Sequence, residues 1–147
     1  MGYKLADTDW KSAMNETTLK KIARVLLGGS LIFTGLGHLT FAREEFQAQV
    51  PDWVPLGKDD TVVASGVVEI ALGGALVLTN EKLQGALGKV AAALFAVVLP
   101  GNISQYTHRR DAFGLNTDTK RFVRLFFQPV LIYWALKSTE KVKSTEK

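Results

Sequence analysis

Hydrophobic residues in this 147-residue chain are bunched rather than spread. Four stretches, 21–40, 61–79, 83–105 and 122–137, are mostly apolar, and each is close to the roughly 20 residues a helix needs to cross the hydrocarbon core of a bilayer. Residues 25–33 and 90–99 carry almost none of the polar stripe that a helix in a water-soluble bundle keeps on its outer face. The pattern predicts an all-α integral membrane protein built as a four-helix bundle over residues 21–137. In the fourth stretch only residues 125–136 are free of charge, so that helix is expected to begin at the interface, with Arg124 reaching toward headgroups.

The first connection has a different rhythm. In 41–55 (FAREEFQAQVPDWVP), Ala42, Phe46, Val50 and Trp53 recur at helical spacing, Arg43, Glu44 and Gln47 fall on other faces, and Pro51 and Pro55 end the element. An interfacial helix on the outer surface is expected. It reads equally as an amphipathic connection anchored by Trp53 and as a lid made by Phe46, Pro51, Trp53 and Pro55.

Charge sorts the two sides. Lys4, Lys11, Lys20 and Lys21 precede the first stretch, Lys82 lies in the second connection, and Lys137, Lys141, Lys143 and Lys147 follow the fourth. The first connection holds Glu44, Glu45, Asp52, Asp59 and Asp60 against Arg43 and Lys58. Basic flanks stay cytoplasmic, so a polar segment at 1–20 and a charged tail at 138–147 are both expected inside. Arg109, Arg110, Lys120 and Arg121 in the third connection run against that contrast. The first 20 residues do not read as a basic stretch leading into an apolar one, and the first apolar stretch is expected to be a retained helix. The net charge of +4 and isoelectric point near 9.4 are read as these flank charges, with no nucleic-acid partner. The absence of cysteine removes disulfides, thiolate metal sites and thiol electron relays.

Glu69, near the middle of TVVASGVVEIALGGALVLT, is the residue that asks most of its surroundings. An ionisable group at that depth is costly unless it is paired, neutralised or wetted. Ser30, Thr34 and His38 share one face of the first helix, and Ser65, Glu69 and Gly73 share one face of the second. The third carries a small-residue stripe, Gly88, Ala92, Ala96 and Pro100, and then Asn102, while the fourth places Arg124 and Gln128 one turn apart before Pro129. At 1.5 Å per residue, Glu69 lies about 12 Å below the outer end of its helix, within reach of Arg124 if their helices are neighbours.

The expected site is therefore an outer-half ligand pocket lined by His38, Ser65, Glu69, Asn102, Arg124 and Gln128, with a Glu69–Arg124 ion pair at its centre and 41–55 above it. The same residues also serve as interhelical glue without a ligand, or as a wetted proton path. A haem held by two histidines needs both rings in one cavity, whereas His108 lies in polar QYTHRRD and is expected exposed. No second carboxylate or histidine stands at ligand spacing, so no metal site is expected. Arg24 and Lys89, near inner helix ends, are expected to snorkel to lipid phosphates, and Tyr133 and Trp134 to sit in the inner aromatic belt.

From about residue 24 to residue 136 the chain resembles the DoxX-like family of small four-helix bacterial membrane proteins. The likeness is carried by GLGHLTF, VPDWVP, SGVVEIALG, VVLPGNIS and RLFFQPVLIYWAL, in that order. His38, Pro51, Pro55, Ser65, Gly66, Glu69, Pro100, Asn102, Arg124 and Gln128 occupy the family's characteristic positions. The resemblance implies a four-helix bundle in the bacterial cytoplasmic (inner) membrane. It also implies an association with thiosulfate:quinone oxidoreduction or oxidative-stress complexes, and this chain has no thiol to contribute to such chemistry.

Two functions follow as expectations. One is a redox-associated subunit binding a quinone or similar lipophile, in which Arg124, Gln128 and Asn102 donate to a carbonyl oxygen, Glu69 or His38 passes a proton, and a partner protein supplies electrons. The other is a non-enzymatic scaffold that recruits another membrane protein, with the ion pair locking the bundle. Proton-coupled transport is weakly supplied with polar residues in the inner half, and no inverted repeat is visible. The Gly- and Ala-rich faces serve intrachain packing or an oligomer equally well.

Overall fold

The computed structural model describes residues 3–142, which form α1 (Tyr3–Leu39), α2 (Arg43–Gln47), α3 (Lys58–Leu78), α4 (Gln84–Thr107) and α5 (Asp118–Thr139), with no strand among the described residues. Lys143 and Lys147 of the expected tail lie outside the described residues, as does the side chain of Lys4. The polar segment before residue 21 is not separate from the first apolar stretch: both belong to one 37-residue helix, roughly 55 Å long at 1.5 Å per residue.

Three helices are long and apolar enough to cross a membrane: the Asn15–Leu39 part of α1, α3 and α4. The 22-residue α5 is long enough but is not among them, because Lys120, Arg121, Arg124 and Lys137 dilute its apolar run. Large apolar side chains nevertheless face outward on every long helix, among them Phe33, Val67, Val97, Phe126 and Val130. An exterior of this kind is stable against lipid and unfavourable against water.

Helix ends follow their local chemistry. Asp59 and Asp60 sit in the first turn of α3, where the helix dipole favours negative charge. The Thr117 hydroxyl caps α5 by accepting the Lys120 backbone N–H at 3.2 Å. α4 closes with Arg109 in the left-handed region, φ 51°, while the Arg109 and Arg110 amides turn back to the carbonyls of Tyr106 and Gln105.

α2 is far shorter than the expected interfacial helix over 41–55. The amides of Gln49 and Val50 bond back to Phe46 and Gln47 in tightening turns, and no helix continues beyond them. Pro51 and Pro55 lack donors and push the residues before them out of the α region, so 48–57 is a chain of turns.

α1 packs chiefly on α3 and α4 on α5, with lighter contacts between α1 and α5 and between α3 and α4, while α3 and α5 are not packed against each other. Leu27, Leu31, Leu72, Leu76, Ala91, Phe95 and Ala135 make the buried apolar core. Trp134, expected in an aromatic belt, is instead turned inward, and its indole N–H donates to the Ala23 carbonyl at 2.9 Å, tying α5 to α1.

The closest approach is a glycine seam between α1 and α3. A Cβ on Gly28 would lie 2.6 Å from the Gly73 carbonyl oxygen, and one on Gly73 would lie 2.5 Å from that of Gly28. The same holds one heptad along, where Cβ atoms on Gly35 and Gly66 would lie 2.7 and 2.9 Å from the opposite glycine's oxygen. Backbone stands against backbone at both crossings, and only glycine permits it.

Gly73→Ala is expected to lower the thermal midpoint in detergent by the equivalent of about 1–3 kcal/mol. Gly74→Ala, whose Cβ would meet nothing within 4 Å, should be neutral or stabilising by up to about 1 kcal/mol. Equal losses at the two neighbouring positions would contradict the seam.

Candidate functional site

The partner of Glu69 is His38, not Arg124. His38 lies one turn beyond Gly35 on α1, and Glu69 one turn beyond Gly66 on α3, so the glycine seam brings the two side chains face to face. His38 Nδ1 stands 2.9 Å from Glu69 Oε2, with both side chains about nine-tenths buried. That approach is out of line with the ring N–H, and Nδ1 has no aligned hydrogen-bond acceptor. The Thr34 hydroxyl has one proton and two acceptors in reach, the Leu31 carbonyl oxygen at 3.1 Å and Glu69 Oε2 at 3.2 Å. Thr34 itself is exposed, which places one flank of the carboxylate at the outer edge of the α1–α3 groove.

The histidine is roofed by aromatic rings. Phe46 of α2 stands edge-on to His38 with ring centroids 3.6 Å apart, and Phe113, from the α4–α5 connection, stands edge-on to Phe46 at 4.7 Å. Phe113 has φ 55°, an uncommon conformation for a bulky residue, and its N–H donates to Glu45 Oε2 at 3.1 Å. A short helix and a strained turn thus hold one phenyl ring over the imidazole and a second against the first.

The other expected site residues are spread around this pair. Ser65 is half-buried on α3. Asn102 and Gln128 are each 2 % exposed, and both amide atoms of Asn102 and Oε1 of Gln128 have no hydrogen-bond partner among the described residues. Arg124 lines a groove of about 270 Å³ with Leu115, Thr119, Lys120, Val123 and Phe127, and none of the other expected site residues lines it. The expected Glu69–Arg124 pair is not formed: α3 and α5 are not packed against each other, and Glu69 meets His38 instead. Of the expected lid, Phe46 covers His38 and Pro51 is half-buried, whereas Trp53, 74 % exposed, and Pro55 face outward. Ser30 also faces outward and returns its hydroxyl to the Leu26 carbonyl.

Arg110 and Arg121, read from the sequence only as loop charges, anchor this end. Arg110 donates to the Ala48 and Val50 carbonyls and, through both oxygens, to Asp52 at 2.9 and 3.0 Å. Arg121, 5 % exposed, pairs with Asp111 and with Asp118, at 2.9 Å to the latter, and donates to the Arg110 carbonyl. The Gln49 amide donates to buried Gln105, and the 48–52 turn presses its Gln49 carbonyl onto Gly101 of α4. The hydrogen bond from Lys58, with Arg110 beside it, holds the Asp52 carboxyl below the usual carboxylate range. The clamp is therefore complete above ordinary carboxylate pKa values and is lost only as pH falls through the lowered one. The acidic partners on both connections were visible in the sequence, but the pairing was not.

A family model described as Domain of unknown function (DUF8561) matches residues 27–139, which include the seam, the His38–Glu69 pair and the clamps. Neither the curated proteins nor the solved structures contain a match.

Double-mutant cycles distinguish the pairings. Glu69→Ala alone is expected to destabilise by about 3–5 kcal/mol through the histidine and hydroxyl it strands, and Arg124→Ala by less than about 1 kcal/mol. Coupling measured by unfolding in detergent should be of order 0.5–3 kcal/mol for His38 with Glu69 and near zero for Glu69 with Arg124. Coupling at Arg124 in place of His38 would overturn the assignment.

Proposed function

We propose, from the premise that this chain belongs to the family described as Domain of unknown function (DUF8561), that it is a membrane subunit whose outer-half site binds a quinone or similar lipophilic carbonyl compound and exchanges a proton with it. The observation that carries this reading is the His38–Glu69 contact at 2.9 Å, buried in an apolar setting under Phe46. A carboxylate and an imidazole sharing a site can pass one proton with little reorganisation, and hydrogen bonds of this kind are often poorly aligned until a ligand binds.

Reduction of a quinone to a quinol takes up two electrons and two protons. In this reading a redox-active membrane partner supplies both electrons, the His38–Glu69 pair delivers one proton to one carbonyl oxygen, and water at the interface supplies the second proton to the other oxygen and later reprotonates the pair. Exposed Thr34 beside the carboxylate offers a lipophile an approach from the bilayer. Asn102 and Gln128, buried with unpartnered polar atoms, are the further groups available to a polar ligand. Arg124, which enters no ion pair among the described residues, is left at the interface rather than in the site.

The same proposal includes a four-helix bundle in a bacterial inner membrane, with α5 as the fourth span, the segment around α2 at the outer interface and both termini cytoplasmic. The outward apolar residues of α5 and the lysines at the opposite end support it. The likeness to DoxX-like proteins points the same way.

A scaffold without a ligand is favoured by one feature: Glu69 already has Thr34 and His38 within the protein. A short-chain ubiquinone titrated into the purified protein in nanodiscs separates the two. The proposal expects a saturable rise in thermal midpoint that is abolished in Phe46→Ala and His38→Gln and retained in Arg124→Gln. A wild type indifferent to saturating ubiquinone, with a partner captured by cross-linking in native membranes, would leave the scaffold.

A further inference from the structure

At the end opposite the His38–Glu69 pair, α1, the α3–α4 connection and the residues after α5 enclose a cleft of about 400 Å³. Arg24, Lys20, Lys21, Asn80, Gln84 and Lys141 are among its walls. Arg24 does not snorkel outward as the sequence suggested. It is 5 % exposed, donating to Gln84 Oε1 at 2.6 Å and to the Thr79 carbonyl at 3.5 Å, while its Nε has no partner.

Both acceptors are neutral, and no carboxylate of the described residues pairs with Arg24. Glu140, also on the cleft wall, pairs with Lys20 and Lys137. A buried guanidinium without a counter-charge is expensive, and its fixed charge cannot be removed by deprotonation. Exposed Glu81 is the second carboxylate of the wall, so Arg24, Lys20, Lys21 and Lys141 stand against two acids and the cleft keeps a net positive charge. Asn80 Oδ1 is occupied by the Lys82 and Leu83 N–H groups, leaving its amide hydrogens free. The 24-residue α4 begins here with no acidic residue in its first turn, and Asn80 Oδ1, a neutral acceptor, meets the Leu83 N–H at its start. Lys21 and Lys141 are exposed at the rim and enter no ion pair among the described residues.

We infer that this cleft binds a phosphate group, with Arg24 at its floor, the start of α4 and Asn80 at its side, and Lys21 and Lys141 at its mouth. Phosphate fits the set better than a carboxylate does, since several converging donors and a guanidinium suit an anion with more than two acceptor oxygens. The group is carried by an anionic lipid of the surrounding leaflet or arrives as free phosphate, and the inference does not depend on what occupies the opposite end.

The test uses the full chain in phosphatidylcholine nanodiscs, with and without phosphatidic acid, and separately with inorganic phosphate against chloride at equal ionic strength. A rise in thermal midpoint with phosphatidic acid alone, together with retention of that lipid in native mass spectra, identifies the lipid source. A rise with inorganic phosphate identifies the soluble one. Either response should weaken by about tenfold in apparent affinity in Arg24→Gln, which keeps a polar group opposite Gln84. Lys21→Gln with Lys141→Gln, both at exposed positions, should weaken it without altering the ligand-free midpoint. A wild type that responds to neither probe, or a response of unchanged affinity in both variants, overturns the inference.

Discussion

Where α1 and α3 cross, two glycine pairs a heptad apart remove the side chains that would hold the backbones at the usual 8–10 Å between helix axes. His38 and Glu69 each lie one turn beyond a seam glycine, so the backbone approach sets the distance between imidazole and carboxylate. Larger residues at the seam would separate the helices and draw both His38 and the Thr34 hydroxyl, which stand on α1, away from Glu69 on α3. The polar chemistry around His38 and Glu69 is in this sense a consequence of packing in the middle, and a carboxylate in an apolar helix is tolerable because its partner is delivered by backbone geometry.

The two ends of the molecule treat positive charge differently. Around α2 and the α4–α5 connection, Arg43, Arg110 and Arg121 each meet aspartates, and the network pins the turns that place Phe46 over His38 and Phe113 against Phe46. At the other end, Arg24 is equally buried but meets only an amide and a carbonyl. One end is neutralised from within and rigidly roofed; the other carries a charge that its own residues do not answer. A site that handles a neutral lipophile suits the first end, and one that holds an anion suits the second.

Much of this was legible along the chain. Of the four apolar stretches expected to span a membrane, three are long and apolar enough to do so, and the i, i+4 spacing places Thr34 with His38 and isolates Glu69 as the residue in need of a partner. The prolines at 51 and 55 signalled an end to helix, though the true stop comes earlier because the chain tightens at Gln49 and Val50. Phe113 was silent: nothing in DAFGLN announces that its ring will rest on Phe46 from across the molecule.

Periodicity is a property of one helix, and the sequence alone was sufficient for what one helix decides: which stretches are apolar, which residues share a face, and that Glu69 lies too deep to remain unpaired. Adjacency is a property of two helices. Choosing His38 over Arg124, turning Trp134 and Arg24 inward, and converting loop arginines into clamps required the neighbour order in which α3 meets α1 and α4 but not α5. That order is decided by which small-residue faces fit most closely, a balance of interhelical contacts that side-chain spacing within a single segment does not contain.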